Sequence, residues 1–151
     1  MQKIIKLILI ILWMGVIFSF SSDDADKSTI KSDGVIIKIT ETALNKKLSD
    51  KEKKEYTTKY IVPVRKSAHF TLYFILGILV FLFVKEFTVI SYKVVLISVI
   101  VVLLYSISDE VHQLFVPGRS GEVLDVMIDT MGGFISCNIL YLIYRRKRDH
   151  E

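Results

Sequence analysis

The chain has 151 residues, 52% of them hydrophobic, a formal net charge of +4 and a single cysteine, with a mean hydropathy of +0.47. Its length suits one domain of about 100–200 residues, and the apolar residues concentrate in four runs, 4–20, 67–84, 94–107 and 126–144, in which Lys6 is the only Lys or Arg. An ordinary cytosolic globule is thereby excluded, and so is a disulfide scaffold, since Cys137 stands alone inside an apolar run.

A membrane span needs about 20 residues of helix, because lipid offers backbone polar groups no partner and only a helix satisfies its own. Four spans fit, at about 4–20, 64–84, 94–115 and 123–144 of a single membrane domain over 1–151. The expected fold is therefore all-α, a polytopic four-transmembrane-helix bundle with a helical external loop, 21–63, between spans one and two. Lys3 and Lys6 precede the first span and Asp23, Asp24 and Asp26 follow it, which places the N-terminus in the cytoplasm by the positive-inside rule. Lys3, Lys6 and the small residues Ser19 and Ser21 also describe a secretory signal peptide, whose removal would leave three spans.

Residues 21–66 carry eleven basic side chains against eight acidic ones, yet long loops translocate largely regardless of charge, and the segment reads as external. Within it Ile39, Ala43, Leu44 and Leu48 recur at helical spacing, and Ser49 with Glu52 forms a capping-box pattern for a short Lys-rich helix ending before Pro63. This loop is read as a solvated cap over the spans, with adhesion of its lysines to anionic headgroups as the alternative.

The second span, starting at Val64, carries His69 about one and a half turns inward and Tyr73 four residues on, with Arg65 and Lys66 at its rim. Lys85 and Lys93 flank the next turn and mark it as cytoplasmic. The third apolar run, 94–107, covers only about 21 Å of a ~30 Å hydrocarbon core, so the helix is expected to continue to Phe115, before the Val116-Pro117-Gly118 turn. That extension puts Asp109, Glu110, His112 and Gln113 in its outer third. The fourth span opens with Asp125 and Asp129, and Arg119 lies just ahead of it. Ionisable groups cost several kcal/mol inside a bilayer unless buried in protein or wetted, and by default they mark a functional site. The candidate ligand-binding set is thus Arg65, Lys66, His69, Tyr73, Asp109, Glu110, Gln113, Arg119, Asp125 and Asp129. The bland alternative is that Arg119 neutralises Asp109 or Asp125 and His69 bonds a carboxylate to fix helix positions.

Gly132, Gly133, Ser136 and Cys137 give the fourth span a small-residue face for close helix approach. No phosphate-cradling glycine loop, dinucleotide fingerprint or Cys/His zinc spacing is present, so neither a cofactor nor a metal is expected. The terminal Arg145, Arg146, Lys147 and Arg148 read as a cytoplasmic anchor rather than a nucleic-acid patch.

At these positions the sequence resembles the VanZ-like family of small bacterial membrane proteins. The resemblance rests on Arg65-Lys66-Ser67-Ala68-His69-Phe70 with Tyr73, on Ser108-Asp109-Glu110-Val111-His112-Gln113-Leu114-Phe115, and on Pro117-Gly118-Arg119-Ser120-Gly121 with Asp125 and Gly132, and includes the Ser21-Ser22 pair. Asp23 and Asp129 depart from it, standing where Gln and Asn are usual. The resemblance implies a role in the bacterial envelope, in a family whose namesake is associated with reduced susceptibility to teicoplanin-type lipoglycopeptides. Three readings follow. The first is a protein that binds membrane lipids or a lipid-linked cell-wall precursor in an outward cavity without turnover. The second is an enzyme acting on a lipid headgroup or peptidoglycan precursor, with His69 as base, Asp109 or Asp125 orienting it, and Arg119 stabilising negative charge. The third, a small proton-coupled transporter or flippase, is weakened by the near absence of polar residues from the cytoplasmic half of the spans.

Overall fold

Apolar runs of this length leave the backbone no partner but itself, and the computed structural model, which describes residues 1–148, is built from helices alone. They are α1 (Gln2–Ser21), α2 (Ala25–Leu44), α3 (Asp50–Val84), α4 (Tyr92–Gln113) and α5 (Val123–Arg148). Residues 149–151 of the expected domain lie outside the described residues. All of these helices except α2 are long and apolar enough to cross a membrane, and among the described residues there is no strand.

The segment between the first two spans differs from expectation in two ways, at Leu48 and at Pro63. Ile39, Ala43 and Leu44 do lie on α2, but all three are exposed, and the residue this helix buries is Ile36. Leu48 is buried beyond the helix, because Asn45 ends α2 in the left-handed conformation (φ 48°) and breaks the helical register. The capping box is present: Ser49 Oγ accepts the Glu52 N–H, and Glu52 Oε2 accepts the Ser49 N–H at 2.9 Å. The helix it starts does not stop before Pro63, however. α3 runs unbroken through Pro63 for 35 residues. Proline removes one i→i−4 hydrogen bond, but the carbonyl it frees, on Lys59, lies on an exposed stretch that water can reach. At the other end of the chain's polar region, α4 stops at Gln113 rather than Phe115, and Leu114 is its C-cap.

The broadest interface joins α3 to α5, followed by α4 to α5. The small-residue face of α5 is buried there as expected, with Cys137 Sγ 3.5 Å from the Gly77 carbonyl oxygen. Gly132 permits the closest approach, since a Cβ added to it would stand 2.5 Å from the Phe70 carbonyl oxygen and 3.2 Å from the Phe74 nitrogen. α1 is fastened to the others by side-chain bonds to helix carbonyls. Trp13 Nε1 donates to the Leu72 carbonyl at 2.9 Å, and the Tyr105 hydroxyl donates to the Met14 carbonyl at 2.7 Å.

The basic residues of the chain ends and of the α3–α4 turn share one end of the bundle. Lys6 pairs with Glu86, Lys3 lies 4.3 Å from the Phe87 ring centroid, Lys85 lies 3.9 Å from that of Tyr144, and Arg148 donates to the Ile90 carbonyl at 3.2 Å. His69, Asp109 and Arg119 lie at the opposite end.

Overpacking against backbone cannot be relieved by a rotamer change, so Gly132→Ala should destabilise the protein by about 1–3 kcal/mol. Gly15→Ala, where an added Cβ meets nothing within 4 Å, should leave it unchanged or slightly more stable. Thermal melts of the two variants in the same detergent check the difference, and equal melting temperatures would contradict the close crossing.

Candidate functional site

Pro117 and Gly118 decide where the polar end of the molecule closes. Gly118 has φ +72°, a conformation that favours glycine, and the Arg119 N–H donates to the Val116 carbonyl at 3.1 Å. This tight turn brings the Pro117 carbonyl under the start of α2, where it accepts the Ala25 N–H at 3.3 Å. It also aims Arg119 back between α2 and α4. Nε and Nη2 of Arg119 both donate to Gln113 Oε1, Nε at 3.1 Å, and Nη1 donates to Ser28 Oγ at 3.0 Å.

Gln113 is the junction of the polar network. Its amide nitrogen donates to Asp109 Oδ2 at 3.2 Å and Glu110 Oε1 at 3.3 Å, while its oxygen takes the arginine. Positive and negative charge are thereby linked through a neutral amide, not by direct contact. Glu110 Oε2 in turn accepts the Glu122 N–H at 2.8 Å and so anchors the loop that precedes α5. Burial, and after it the repulsion of Arg65, pulls the pKa of Arg119 below the ordinary arginine value, against the opposing pull of Glu110, Asp109 and Asp125.

A cavity of about 650 Å³ opens between the end of α1, α2 and α3. Arg65, His69, Asp109 and Arg119 line its polar side, and Ile17, Phe20, Val35, Ile39, Val64 and Leu72 give it apolar walls. Of the expected site residues, these four polar ones therefore share the cavity. The others do not reach its wall. Lys66 pairs with Asp125 and also contacts Glu122 Oε2 at 3.3 Å. Asp129 is fully buried behind His69, its Oδ1 3.4 Å from His69 Nδ1, within ion-pair reach but not aligned for a hydrogen bond, and its Oδ2 accepts from Ser106 Oγ at 3.1 Å. Tyr73 is buried next to Tyr105, at 6.1 Å between ring centroids. Asp125 and Asp129, four residues apart, thus serve different partners, and Arg119 forms no direct pair with Asp109 or Asp125 among the described residues.

Seven polar residues of the wall, Ser21, Asp23, Ser28, Lys31, Ser32, Ser67 and Thr71, were not among the expected site residues. The first five come from the end of α1, the α1–α2 connection and α2, and the last two from α3. Asp23 pairs with Lys31 at the mouth. In sequence most of them look like ordinary polar residues; the signals were the Ser21-Ser22 pair, the departure of Asp23 from the family pattern, and Ser67 within the family motif. Ser22 Oγ also meets His112 Nε2 at 3.1 Å and joins α1 to α4.

A family model described as VanZ/LLP1 matches residues 6–145. Neither the comparison with curated proteins nor that with solved structures gives a match.

Gln113→Leu keeps the volume but strips partners from Arg119, Asp109 and Glu110 at once. Leaving buried charged groups unpaired costs about 3–5 kcal/mol, so this variant should fail to accumulate or melt far below the wild type. Asp23→Asn, at the cavity mouth, should change stability by less than about 1 kcal/mol. Folded yield and melting temperature in detergent check both.

Proposed function

Since the chain belongs to the VanZ/LLP1 family and is a multi-pass membrane protein, we propose that it resides in the bacterial plasma membrane with both termini cytoplasmic. We propose further that its outward cavity binds an anionic lipid-linked or cell-wall-related molecule and so lowers susceptibility to teicoplanin-type lipoglycopeptides. One observation carries the ligand class: Arg65 and Arg119 line the same largely apolar cavity, and among the described residues neither forms an ion pair. Two guanidiniums held together in a partly dry site are stabilised by an arriving phosphate or carboxylate, which each can grip with two parallel hydrogen bonds. The apolar walls formed by α1, α2 and α3 suit the first carbons of a lipid tail. Binding of this kind needs no turnover.

The enzymatic reading is favoured by one contact. His69 reaches the cavity and has a carboxylate 3.4 Å behind it, in the place of the orienting partner of a base, but that carboxylate is Asp129 instead of Asp109 or Asp125. Mass spectrometry of envelope lipids and wall fragments, with the gene deleted or overexpressed, separates the two. A new covalent product belongs to the enzyme alone.

Phosphatidylcholine nanodiscs doped with a polyprenyl phosphate or the corresponding alcohol test the ligand class by native mass spectrometry. The phosphate should be retained and the alcohol not. Arg65→Gln should weaken retention roughly 10–100-fold, on about 1.5–3 kcal/mol for a hydrogen bond to a charged group. Equal retention in Arg65→Gln would remove the assignment. Arg119→Lys keeps the charge but loses the planar fork, and at equal membrane abundance it should protect a sensitive host from lipoglycopeptide almost as poorly as Arg119→Ala.

Topology is checked by cysteine labelling in a Cys137→Ser background, Cys137 being buried in any case. An impermeant reagent should label Asp50→Cys in intact cells and spare Lys147→Cys. The opposite pattern would invert the orientation.

A further inference from the structure

The polar network leaves negative charge over. Asp109, Glu110 and Asp129 are 3%, 6% and 0% exposed, and the nearby lysine, Lys66, is already taken by Asp125 and Glu122. Arg119 reaches the carboxylates only through the Gln113 amide. His69, Glu110 and Asp129, from three different helices, each present a ligand atom, and these atoms all lie within 4.8 Å of one another. A second observation points the same way. His69 Nδ1, Asp109 Oδ1, Asp129 Oδ1 and the Tyr73 hydroxyl are buried and have no hydrogen-bond partner, although buried polar groups are otherwise almost always satisfied.

From this geometry we infer that His69, Glu110 and Asp129 form a binding site for a divalent transition-metal ion of the Zn²⁺ or Mn²⁺ kind. One imidazole nitrogen with two carboxylates is a mixed donor set, better matched to these ions than to Mg²⁺ or Ca²⁺, which take oxygen ligands. Bonds of about 2.0–2.2 Å hold the ligand atoms of such an ion about 3–4 Å apart, so binding draws the three side chains together by roughly an ångström. The hydrogen bonds that Glu110 already accepts do not prevent this, since a carboxylate has about four lone-pair sites. The ion removes excess negative charge from a region with little water and occupies the orphaned Asp129 oxygen. Its entry path is the cavity, on whose wall His69 and Asp109 lie. The site does not depend on the cavity's lipid ligand, and its test reads metal alone.

Untagged protein in phosphatidylcholine nanodiscs is stripped with a chelator, desalted, loaded with ZnCl₂ or MnCl₂, and desalted again. Elemental analysis should then find about one ion of one of these metals per chain. At about a hundredfold excess over Kd, the ion should raise the melting temperature by roughly 5–10 °C. Asp129→Asn and His69→Gln should lose both the ion and the shift, while Asp50→Asn, at a fully exposed carboxylate outside the cluster, should keep them. Wild-type protein that retains neither ion overturns the assignment without reference to any variant. So does full retention in Asp129→Asn, or in His69→Gln should Asp129→Asn fail to fold.

Discussion

Charge inside hydrocarbon has no water to turn to, so every ionisable group must find its counterpart within the protein. In this chain the close crossing of α3 and α5 meets that requirement in part, by bringing His69 within 3.4 Å of Asp129. Gly132 lies against the Phe70 carbonyl, one residue beyond His69 on α3 and three beyond Asp129 on α5. With a side chain at Gly132 the helices would stand apart, and the histidine and the aspartate would each be buried alone. A glycine among apolar residues therefore sets the distance on which the polar cluster depends.

The network then divides into two layers with different chemistry. Toward the cavity, Arg65 and Arg119 present positive charge beside apolar walls. Asp109 stands on the same wall, and Glu110 and Asp129 continue the negative charge inward from it, away from solvent. Gln113 keeps the layers joined but unneutralised, because an amide can accept from a guanidinium and donate to carboxylates at the same time. A direct arginine–carboxylate pair would have cancelled both charges and left neither layer free to bind anything. The separation is what lets one small protein offer a place for an anion at the front and for a cation behind.

The same residues also hold the fold together, which matters for reading any loss of function. Arg119 ties α2 to α4 through Ser28 and Gln113, and Glu110 fixes the loop before α5 through the Glu122 N–H. Arg65 has no such duty among the described bonds, so it reports on ligand binding more cleanly than Arg119. α2 closes the cavity with polar and apolar residues of both kinds, which makes the segment between the first two spans part of the candidate site and not only a cap over it.

Much of this was determined by local pattern. Four apolar runs specify four spanning helices because hydrophobic length and backbone hydrogen bonding leave a chain in lipid no alternative. The capping box at Ser49 and Glu52, the turn at Pro117 and Gly118, and the small face of α5 were legible because each is a short-range device with its own residue signature. Intramembrane charge likewise singled out His69 and Asp109, and the charge at the rim of the spans singled out Arg65 and Arg119. What only the tertiary structure decided is which charge meets which. Asp125 faces Lys66 while Asp129, one turn on, faces His69; Arg119 meets an amide rather than a carboxylate; and α3 carries its helix straight through Pro63. Helical spacing assigns residues to a face of their own helix but holds no information about the rotation and depth of the helices beside it. The metal-ligand spacing escaped the sequence for that reason, since its three donors stand on three helices, at positions 69, 110 and 129, and become neighbours only when those helices pack.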